Sequence, residues 1–215
     1  MKQIEFPSQE AYVHAQLKTV RRRSGNVFFS DREVARAAAW LRSAGARVRS
    51  GICHGARNGL EVAEFSTHFP RAAWVGTDLF PHSGKSAVYS PKGVEVVKHD
   101  FSERKPEWVG VWDVVYSNSL DHARDPKAAL AVWLEQLSPD GACFVQWTAA
   151  DLTVGGGDCF GGTLWEWVGL ANSVGFVEDL LYCRTTWMRA NILRTRGLES
   201  VLIVIRPPSK AGGPR

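Results

Sequence analysis

Apolar, β-branched segments alternate with amphipathic segments along most of the chain, and this alternation limits the fold more than any other feature. The segments ARVRSGICH, AAWVGTDLF, GVEVVKHDF, WDVVYSN and GACFVQWT have the composition of strands, and VEDLLYCRTTW and ESVLIVIRP have the pattern of a final strand pair. Helical patterns such as GLEVAEFSTHF and DPKAALAVWLEQL lie between them. Strands joined by helices pair in parallel, and the helices then cover both faces of the sheet. The sequence therefore predicts an α/β domain with a mostly parallel sheet.

The ends of two helices are marked by residues that favour helix termini. Ser30 and Glu33 have the spacing of a capping box, and Gly45 follows the same segment where a helix is expected to end. Asp125 precedes Pro126, a favourable residue for the first turn of a helix. We therefore expect helices that begin after Ser30 and after Asp125.

Residues 1–30 come before the alternating pattern and have no place in its order. The segment SQEAYVHAQLKTV has an apolar face at helical spacing: Val13, Leu17 and Val20. We expect residues 1–30 to form a helical arm or lid, residues 31–207 the main domain, and residues 208–215 a disordered tail. Because an apolar helical face must pack against something, a contact with a second copy of the chain, making a homodimer, is the alternative to a lid.

The composition favours a single globular domain without a membrane segment. A chain of 215 residues with 45% hydrophobic residues is long enough to bury one core. The N-terminal stretch MKQIEFPSQE lacks a basic segment followed by an apolar run, and no stretch approaches the roughly 20 apolar residues that span a bilayer. Four cysteines without a CxxC pair indicate neither a disulfide framework nor a zinc site. These features predict a cytoplasmic location and no membrane partner.

Open parallel sheets bind ligands outside the carboxyl ends of their strands, and this rule selects five turns of the chain. They are HGARNG, TDLF, HDFS, SNSLDH and WTAADLTVGGG. Asp78 and Asp100 end two successive predicted strands, and Asp78 follows Gly55 by about 20 residues. At that spacing a carboxylate reaches the ribose hydroxyls of a nucleotide. The sequence therefore predicts a ligand of the adenosine type.

Several of these motifs resemble the class I S-adenosylmethionine-dependent methyltransferases of the small-molecule branch, over roughly residues 45–205. The stretch WDVVYSNSLDHARDPKAALAVWLEQLSPDGACFVQW looks like that family's fourth strand, its Leu-x-His turn, a helix opened by Asp-Pro, and a Leu-x-Pro-x-Gly turn into the fifth strand. The resemblance implies a Rossmann-like, doubly wound, mostly parallel sheet of seven strands with an antiparallel last strand. It also implies an enzyme that uses S-adenosylmethionine as its cofactor and methyl donor. We expect no metal ion, because the sequence shows no cluster of carboxylates and neither Asp121 nor Asp125 alone makes one.

The glycine loop of that family aligns with CHGARNG, with two departures from the family's pattern. Gly55 and Gly59 match the outer glycines, whereas Cys53 replaces an acidic residue and Arg57 replaces the middle glycine. S-adenosylmethionine carries no phosphate, so the outer glycines alone can let the backbone approach it. Arg57 either pairs with the methionyl carboxylate or projects into solvent. The amino group of the cofactor then needs other acceptors, which are backbone carbonyl groups or Glu61.

The resemblance places the cofactor against residues at the ends of neighbouring strands. Asp78 is expected on the ribose, with capping of the next turn as the alternative, and Asp100 beside Phe101 is expected to face the adenine. The predicted cofactor-binding residues are His54, Gly55, Arg57, Asn58, Gly59, Asp78, Leu79, Asp100, Phe101, Ser117, Asn118 and Ser119.

Two neighbouring residues in the Leu-x-His turn, Asp121 and His122, are the predicted catalytic residues. His122 is a candidate general base, and support of the turn is its alternative role. Among the other histidines, His54 and His99 also fit structural roles.

The acceptor is expected to be a small molecule or a glycan that is methylated at a hydroxyl group, with the loop at residues 154–162 on its side of the site. A nucleic-acid or nucleotide-linked methyltransferase is the first alternative, because residues 1–57 carry 11 Lys and Arg residues against 4 Asp and Glu residues. The basic residues include the run at 21–23. A degenerate domain that binds the cofactor without methyl transfer is the second alternative, because Cys53 and Arg57 depart from the family's pattern.

Overall fold

The computed structural model describes residues 1–22, 26–27, 31–81, 93–155, 157–186, 188–189 and 197–208. The elements of the first half are β1 (Lys2–Gln3), α1 (Gln9–Arg22), β2 (Asn26–Val27), α2 (Asp31–Ser43), β3 (Ser50–His54), α3 (Leu60–His68), β4 (Ala73–Asp78) and β5 (Val96–Lys98). Those of the second half are β6 (Trp112–Ser117), α4 (Pro126–Glu135), β7 (Leu137–Thr148), β8 (Phe160–Gly161), α5 (Leu164–Asn172), β9 (Phe176–Thr186), β10 (Met188–Arg189) and β11 (Gly197–Arg206).

Seven strands form one sheet in the order β5-β4-β3-β6-β7-β11-β9. Strands β5, β4, β3, β6 and β7 pair in parallel, and β11 runs antiparallel to both β7 and β9. This arrangement confirms the predicted Rossmann-like fold with an antiparallel last strand. The strand order reverses between β3 and β6, and the crevice at such a reversal is where sheets of this kind bind ligands.

Helices cover both faces of the sheet, as the alternating pattern predicts. On one face, α2 and α3 pack in a buried cluster that includes Phe65 and Cys53. On the other face, α4 and α5 contribute Trp133 and Trp167 to a second cluster, which also contains Ile52. Ile52 and Cys53 belong to different clusters because successive side chains of a strand point to opposite faces. Both faces of β3 are therefore buried, and the strand can meet a ligand only at its carboxyl end.

Helix α4 begins at the residues that the sequence predicts. Asp125 accepts a hydrogen bond from the backbone N–H of Ala128 at 2.9 Å. Pro126 is the first residue of the helix, where its missing N–H leaves no unpaired donor. The cap therefore fixes the end of the turn that carries the predicted catalytic residues.

The carboxylate of Glu33 in α2 accepts hydrogen bonds from two strands of the sheet. It is fully buried, and its Oε1 accepts hydrogen bonds from Oγ of Ser200 at 2.6 Å and from Nε2 of Gln146 at 3.3 Å. The predicted partner of its capping box, Ser30, is not among the described residues. A buried carboxylate needs hydrogen-bond donors, and β7 and β11 supply them here. The capping box of Ser30 and Glu33 therefore stays a prediction.

The N-terminal arm is attached to the main domain through β1 and α1. Strand β1 pairs antiparallel with β8, and the backbone N–H of Ile4 donates to the carbonyl of Cys159 at 2.8 Å. The buried side chains of α1 lie one or two turns apart: Tyr12, Gln16 and Thr19. The predicted apolar face is only partly buried: Val13, Leu17 and Val20. The helix turns its polar side chains inward because it packs on backbone carbonyl groups and polar residues rather than on an apolar core.

The tail at residues 209–215 and Arg23 of the predicted basic run fall in parts of the chain that the structure does not describe. None of the described helices combines the length and the apolar character that crossing a bilayer requires. The four cysteines are free thiols.

Candidate active site

The turn between β3 and α3 requires glycine at two positions. Gly55 and Gly59 have φ angles of 72° and 75°, in the left-handed region that other residues disfavour. A Cβ atom at Gly55 would lie 2.4 Å from Oγ of Ser119, and one at Gly59 would lie 2.5 Å from Cγ1 of Val94. The two outer glycines therefore let the backbone of the turn approach its neighbours closely.

Asp78, at the end of β4, holds this turn in place. Its Oδ2 accepts a hydrogen bond from the backbone N–H of Arg57 at 3.1 Å, and its Oδ1 accepts one from the backbone N–H of Phe80 at 2.6 Å. Burial raises the pKa of Asp78, although these two donors oppose the shift. Two of the acceptor positions of Asp78 are thus taken by backbone N–H groups. A carboxylate has about four acceptor positions, so Asp78 also retains capacity for ribose hydroxyl groups.

Asp100 lies where the N-terminal arm meets the carboxyl ends of the strands, which we call the edge of the sheet. Its Oδ1 accepts a hydrogen bond from the backbone N–H of Ser102 at 2.9 Å, and its Oδ2 accepts one from Nε2 of Gln9 at 3.0 Å. The neighbouring Phe101 is buried, and its carbonyl accepts a hydrogen bond from Nε1 of Trp133. Asp100 is therefore the residue through which α1 reaches the predicted adenine side of the site.

The turn after β6 is stabilised by hydrogen bonds among its own side chains and the glycine turn. Oγ of Ser117 donates to the carbonyl of His54 at 3.0 Å and accepts from the backbone N–H of Ser119 at 3.0 Å. Oγ of Ser119 donates to Oδ1 of Asn118, and Nδ2 of Asn118 donates to Oε1 of Glu61 at 3.1 Å. The ends of β3 and β6 therefore form one connected unit. Two further predicted residues are partly buried in the turns of this edge: Asn58 and Leu79.

The side chain of His54 points into the core. It is 1% exposed, its Nδ1 lies 2.8 Å from Oγ1 of Thr77, and its Nε2 lies 2.8 Å from Oε1 of Gln136. The imidazole stacks on Trp133, and burial lowers the pKa of His54 to about 3. Because both ring nitrogens have partners inside the fold, the structure argues against the predicted cofactor contact of this side chain and favours its structural role.

Glu61, in the first turn of α3, is a buried carboxylate beside the glycine turn. It is 5% exposed, and burial raises the pKa of Glu61 to about 7. Its Oε2 is shielded from solvent and has no hydrogen-bond partner among the described residues. Cys53, at the position of the family's acidic residue, is fully buried in the core. The sequence pointed to Glu61 only as a substitute acceptor, since a glutamate in an amphipathic helix carries no signal of burial.

His122 ends the 3-10 turn Leu120–His122 and is surrounded by acceptors. Its Nδ1 lies 2.9 Å from the carbonyl of Gly157 and 3.8 Å from Oδ1 of Asp158. Its Nε2 lies 3.9 Å from Oδ2 of Asp121. The two predicted catalytic residues are therefore together at the edge. Asp121, His122 and Asp158 each have a possible metal-ligand atom, and these atoms lie within 4.8 Å of one another. The sequence did not predict this group, because Asp158 lies far from the other two residues in the chain.

Helix α1 of the arm contacts the turn of His122 and the loop around Gly157 through Tyr12 and Gln16. The hydroxyl of Tyr12 donates to the carbonyl of His122 at 3.1 Å, and Nε2 of Gln16 donates to the carbonyl of Gly157 at 2.8 Å. Burial, and next the charge of Asp100, raise the pKa of Tyr12 far above its usual value. The apolar pattern of the helix predicted a different buried face, whereas Tyr12 is buried and its hydroxyl reaches the turn after β6.

Three solved structures share this architecture. A 1,6-didemethyltoxoflavin N1-methyltransferase from Burkholderia thailandensis, with 1,6-didemethyltoxoflavin and S-adenosylhomocysteine bound, has a TM-score of 0.66 at 17% identity, over 96% of this chain and 94% of that chain. The N-methyltransferase NodS from Bradyrhizobium japonicum, in complex with S-adenosylhomocysteine, has a TM-score of 0.59 at 13% identity, over 89% and 99% of the two chains. The mitomycin 7-O-methyltransferase MmcR has a TM-score of 0.54 at 19% identity, over 81% and 53%.

No protein-family model and no curated protein matches the sequence. At 13% to 19% identity, similarity to these structures establishes the architecture alone. The sheet order, the antiparallel β11 and the glycine turn at the reversal of strand order agree with that architecture. The chain therefore has the fold of the class I S-adenosylmethionine-dependent methyltransferases.

Proposed function

We propose that this chain is an S-adenosylmethionine-dependent methyltransferase that acts on a small molecule. The observation that carries the proposal is the arrangement at the carboxyl ends of β3, β4, β5 and β6. The turn after β3 needs glycine at two positions and donates a backbone hydrogen bond to Asp78 at the end of β4, and Asp100 follows β5. Two of the similar structures contain S-adenosylhomocysteine, the product that this cofactor leaves after methyl transfer. The fold and the edge together support this cofactor.

The residues at the edge fit the chemical groups of S-adenosylmethionine. Gly55 and Gly59 let the turn pack closely against Ser119 and Val94, and in our proposal the backbone of this turn faces the cofactor. In our proposal Asp78 accepts hydrogen bonds from the ribose, Asp100 lies on the adenine side, and Arg57 pairs with the methionyl carboxylate. When bound, the cofactor supplies a methyl group activated by its sulfonium, and the protein aligns the acceptor with it.

We assign His122 as the base that takes a proton from a hydroxyl acceptor. A carbonyl oxygen only accepts hydrogen bonds, so the contact with Gly157 places the ring proton on Nδ1, and Nε2 is then the basic nitrogen of the neutral ring. Asp121 and Asp158 lie within 4.0 Å of the ring and favour the imidazolium that forms. A hydroxyl oxygen loses its proton as it takes the methyl group, which is the step that such a base assists.

The position of the arm favours an acceptor of the size of a small molecule or a sugar unit. Tyr12 and Gln16 cover the side of the edge that carries His122 and the loop around Gly157. We infer that residues 1–30 act as a lid over the acceptor, which excludes water during transfer. A nucleic-acid duplex would need this surface to be open.

Calorimetry with S-adenosylhomocysteine, followed by a screen for its release from S-adenosylmethionine with pooled hydroxyl and amine acceptors, tests the proposal. We expect micromolar binding by the intact chain, and a loss of about tenfold or more in Asp78→Asn. Absence of binding would refute the proposed function. Binding without turnover in any pool would indicate the degenerate domain, and turnover with amines alone would refute the hydroxyl acceptor.

A further inference from the structure

The two carboxylate oxygens of Glu61 differ in their hydrogen bonds. Nδ2 of Asn118 donates to its Oε1 at 3.1 Å, whereas its Oε2 has no hydrogen-bond partner in the described part of the chain. The side chain is 5% exposed, so bulk solvent does not reach this oxygen. An ionised carboxylate in such a place is costly unless a donor or a cation completes its shell. This side of Glu61 is therefore unsatisfied in the protein alone.

The groups that face Glu61 do not supply that partner. Burial raises the pKa of Glu61 to about 7 and outweighs three opposing effects, which are the hydrogen bonds from its own backbone N–H and from Asn118 and the charge of Arg57. Asp78 on β4 adds a like charge, and the thiol of Cys53 on β3 and the phenol of Tyr116 on β6 are themselves buried near Glu61. A cation brought by a ligand would stabilise the ionised carboxylate of Glu61 and lower its pKa.

If the proposed function holds, one end of the ligand carries such a cation. The methionyl end of S-adenosylmethionine has an ammonium beside its carboxylate, and Glu61 is in the first turn of α3, directly after the glycine turn. Cys53, near the end of the strand before this turn, offers no negative charge to the ammonium, because burial raises the pKa of its thiol. We propose that Glu61 binds the ammonium of the cofactor and that Asn118 is the positioning residue that orients its carboxylate.

This assignment predicts a pH dependence that a structural glutamate would not produce. Binding of an ammonium requires the ionised carboxylate, and near pH 6 the free protein holds a proton on Glu61 because its pKa is about 7. The affinity for S-adenosylhomocysteine should therefore fall about tenfold from pH 8 to pH 6, and at pH 6 the binding enthalpy should vary with the ionisation enthalpy of the buffer, because the buffer takes up the proton that Glu61 releases. 5′-Methylthioadenosine, which lacks the amino-acid group, should bind equally at both pH values.

The experiment is calorimetry with these two ligands, at both pH values, on the intact chain and on Glu61→Gln. The glutamine keeps an oxygen for Asn118 but cannot carry a charge, so we expect S-adenosylhomocysteine to bind about tenfold to hundredfold more weakly at pH 8, without pH dependence. 5′-Methylthioadenosine should bind as it does to the unmodified chain. The matched control is Glu64→Gln on the same helix, whose carboxylate pairs with His68 and should leave all four affinities unchanged.

The outcomes separate this inference from the proposed function. Equal affinity of Glu61→Gln for S-adenosylhomocysteine, or an equal loss for both ligands, overturns the role of Glu61 while the proposed function stands. Failure of the unmodified chain to bind either ligand overturns the proposed function itself. If Glu61→Gln does not fold, the pH dependence of the unmodified chain decides alone, and the same pH profile for both ligands overturns the inference.

Discussion

Gly55→Ala provides a direct test of the glycine turn, because the chain contains a matched control for it. Gly55 and Gly110 both have a φ of 72°, so an alanine meets the same backbone strain at either position. Their surroundings differ: a Cβ atom at Gly110 has no heavy atom within 4 Å, whereas one at Gly55 lies 2.4 Å from Oγ and 2.5 Å from Cβ of Ser119. The difference between the two variants isolates the close approach of the turn to β6.

The expected magnitudes follow from these contacts. A left-handed conformation costs a non-glycine residue about 1–2 kcal/mol, which is the whole expected loss for Gly110→Ala. Overpacking against Ser119 adds about 1–3 kcal/mol at Gly55. We therefore expect the free energy of unfolding to fall by about 2–5 kcal/mol in Gly55→Ala.

The assay is urea unfolding of both variants, of Ser119→Gly, and of Gly55→Ala combined with Ser119→Gly. Removing the side chain of Ser119 should return the cost of Gly55→Ala to that of Gly110→Ala, since only the backbone strain remains. Equal losses for Gly55→Ala and Gly110→Ala, or a double variant without any recovery, would refute the close approach of the turn to Ser119.

Three further predictions concern charge, catalysis and the arm. Burial raises the pKa of Glu61 from 4.5 to about 7, so the unfolded chain releases this proton first and the fold loses stability as the pH rises from about 4.5 to about 7, with no further loss above that range. Glu61→Gln should be more stable than the unmodified chain by up to about 3 kcal/mol at pH 8 and equal to it at pH 4, by urea unfolding. His122→Gln should slow methyl transfer to a hydroxyl acceptor by about 10²- to 10⁴-fold with unchanged cofactor affinity, and equal rates would exclude a base role. Deletion of residues 1–24 should abolish acceptor turnover and leave the affinity for S-adenosylhomocysteine within a fewfold, by calorimetry, whereas normal turnover would exclude the lid.

The parts of the fold that depend on local backbone rules could be predicted from the sequence. The alternation of strands and helices indicates the parallel sheet, because each element is specified within its own segment. Gly55, Gly59 and Asp125 also have roles that their neighbours in the chain impose, namely two left-handed conformations and a helix cap. Asp78 was expected at the edge for the same reason, since it ends a strand of the predicted sheet.

The parts that depend on distant partners could not be predicted. Glu33 accepts hydrogen bonds from Ser200, which is 167 residues away, and no local pattern indicates this contact. His54 was placed at the site because it ends β3, but its partner Gln136 comes from beyond α4 and draws the ring into the core. In both cases a polar side chain is buried because donors or acceptors from other elements satisfy it.

Helix α1 contacts both proposed parts of the site, so one displacement of the arm should open the cofactor side and the acceptor side together. Gln9 contacts Asp100 on the proposed adenine side, and Gln16 contacts the carbonyl of Gly157 on the proposed acceptor side. They are seven residues apart on one helix, so about 10 Å of rigid rod joins the two halves of the site. A rigid helix cannot leave one contact and keep the other, and its displacement should open both halves together. We therefore expect deletion of residues 1–24 to accelerate both association and dissociation of S-adenosylhomocysteine in stopped-flow measurements, with little net change in affinity. Unchanged rates would show that the cofactor enters without movement of the arm.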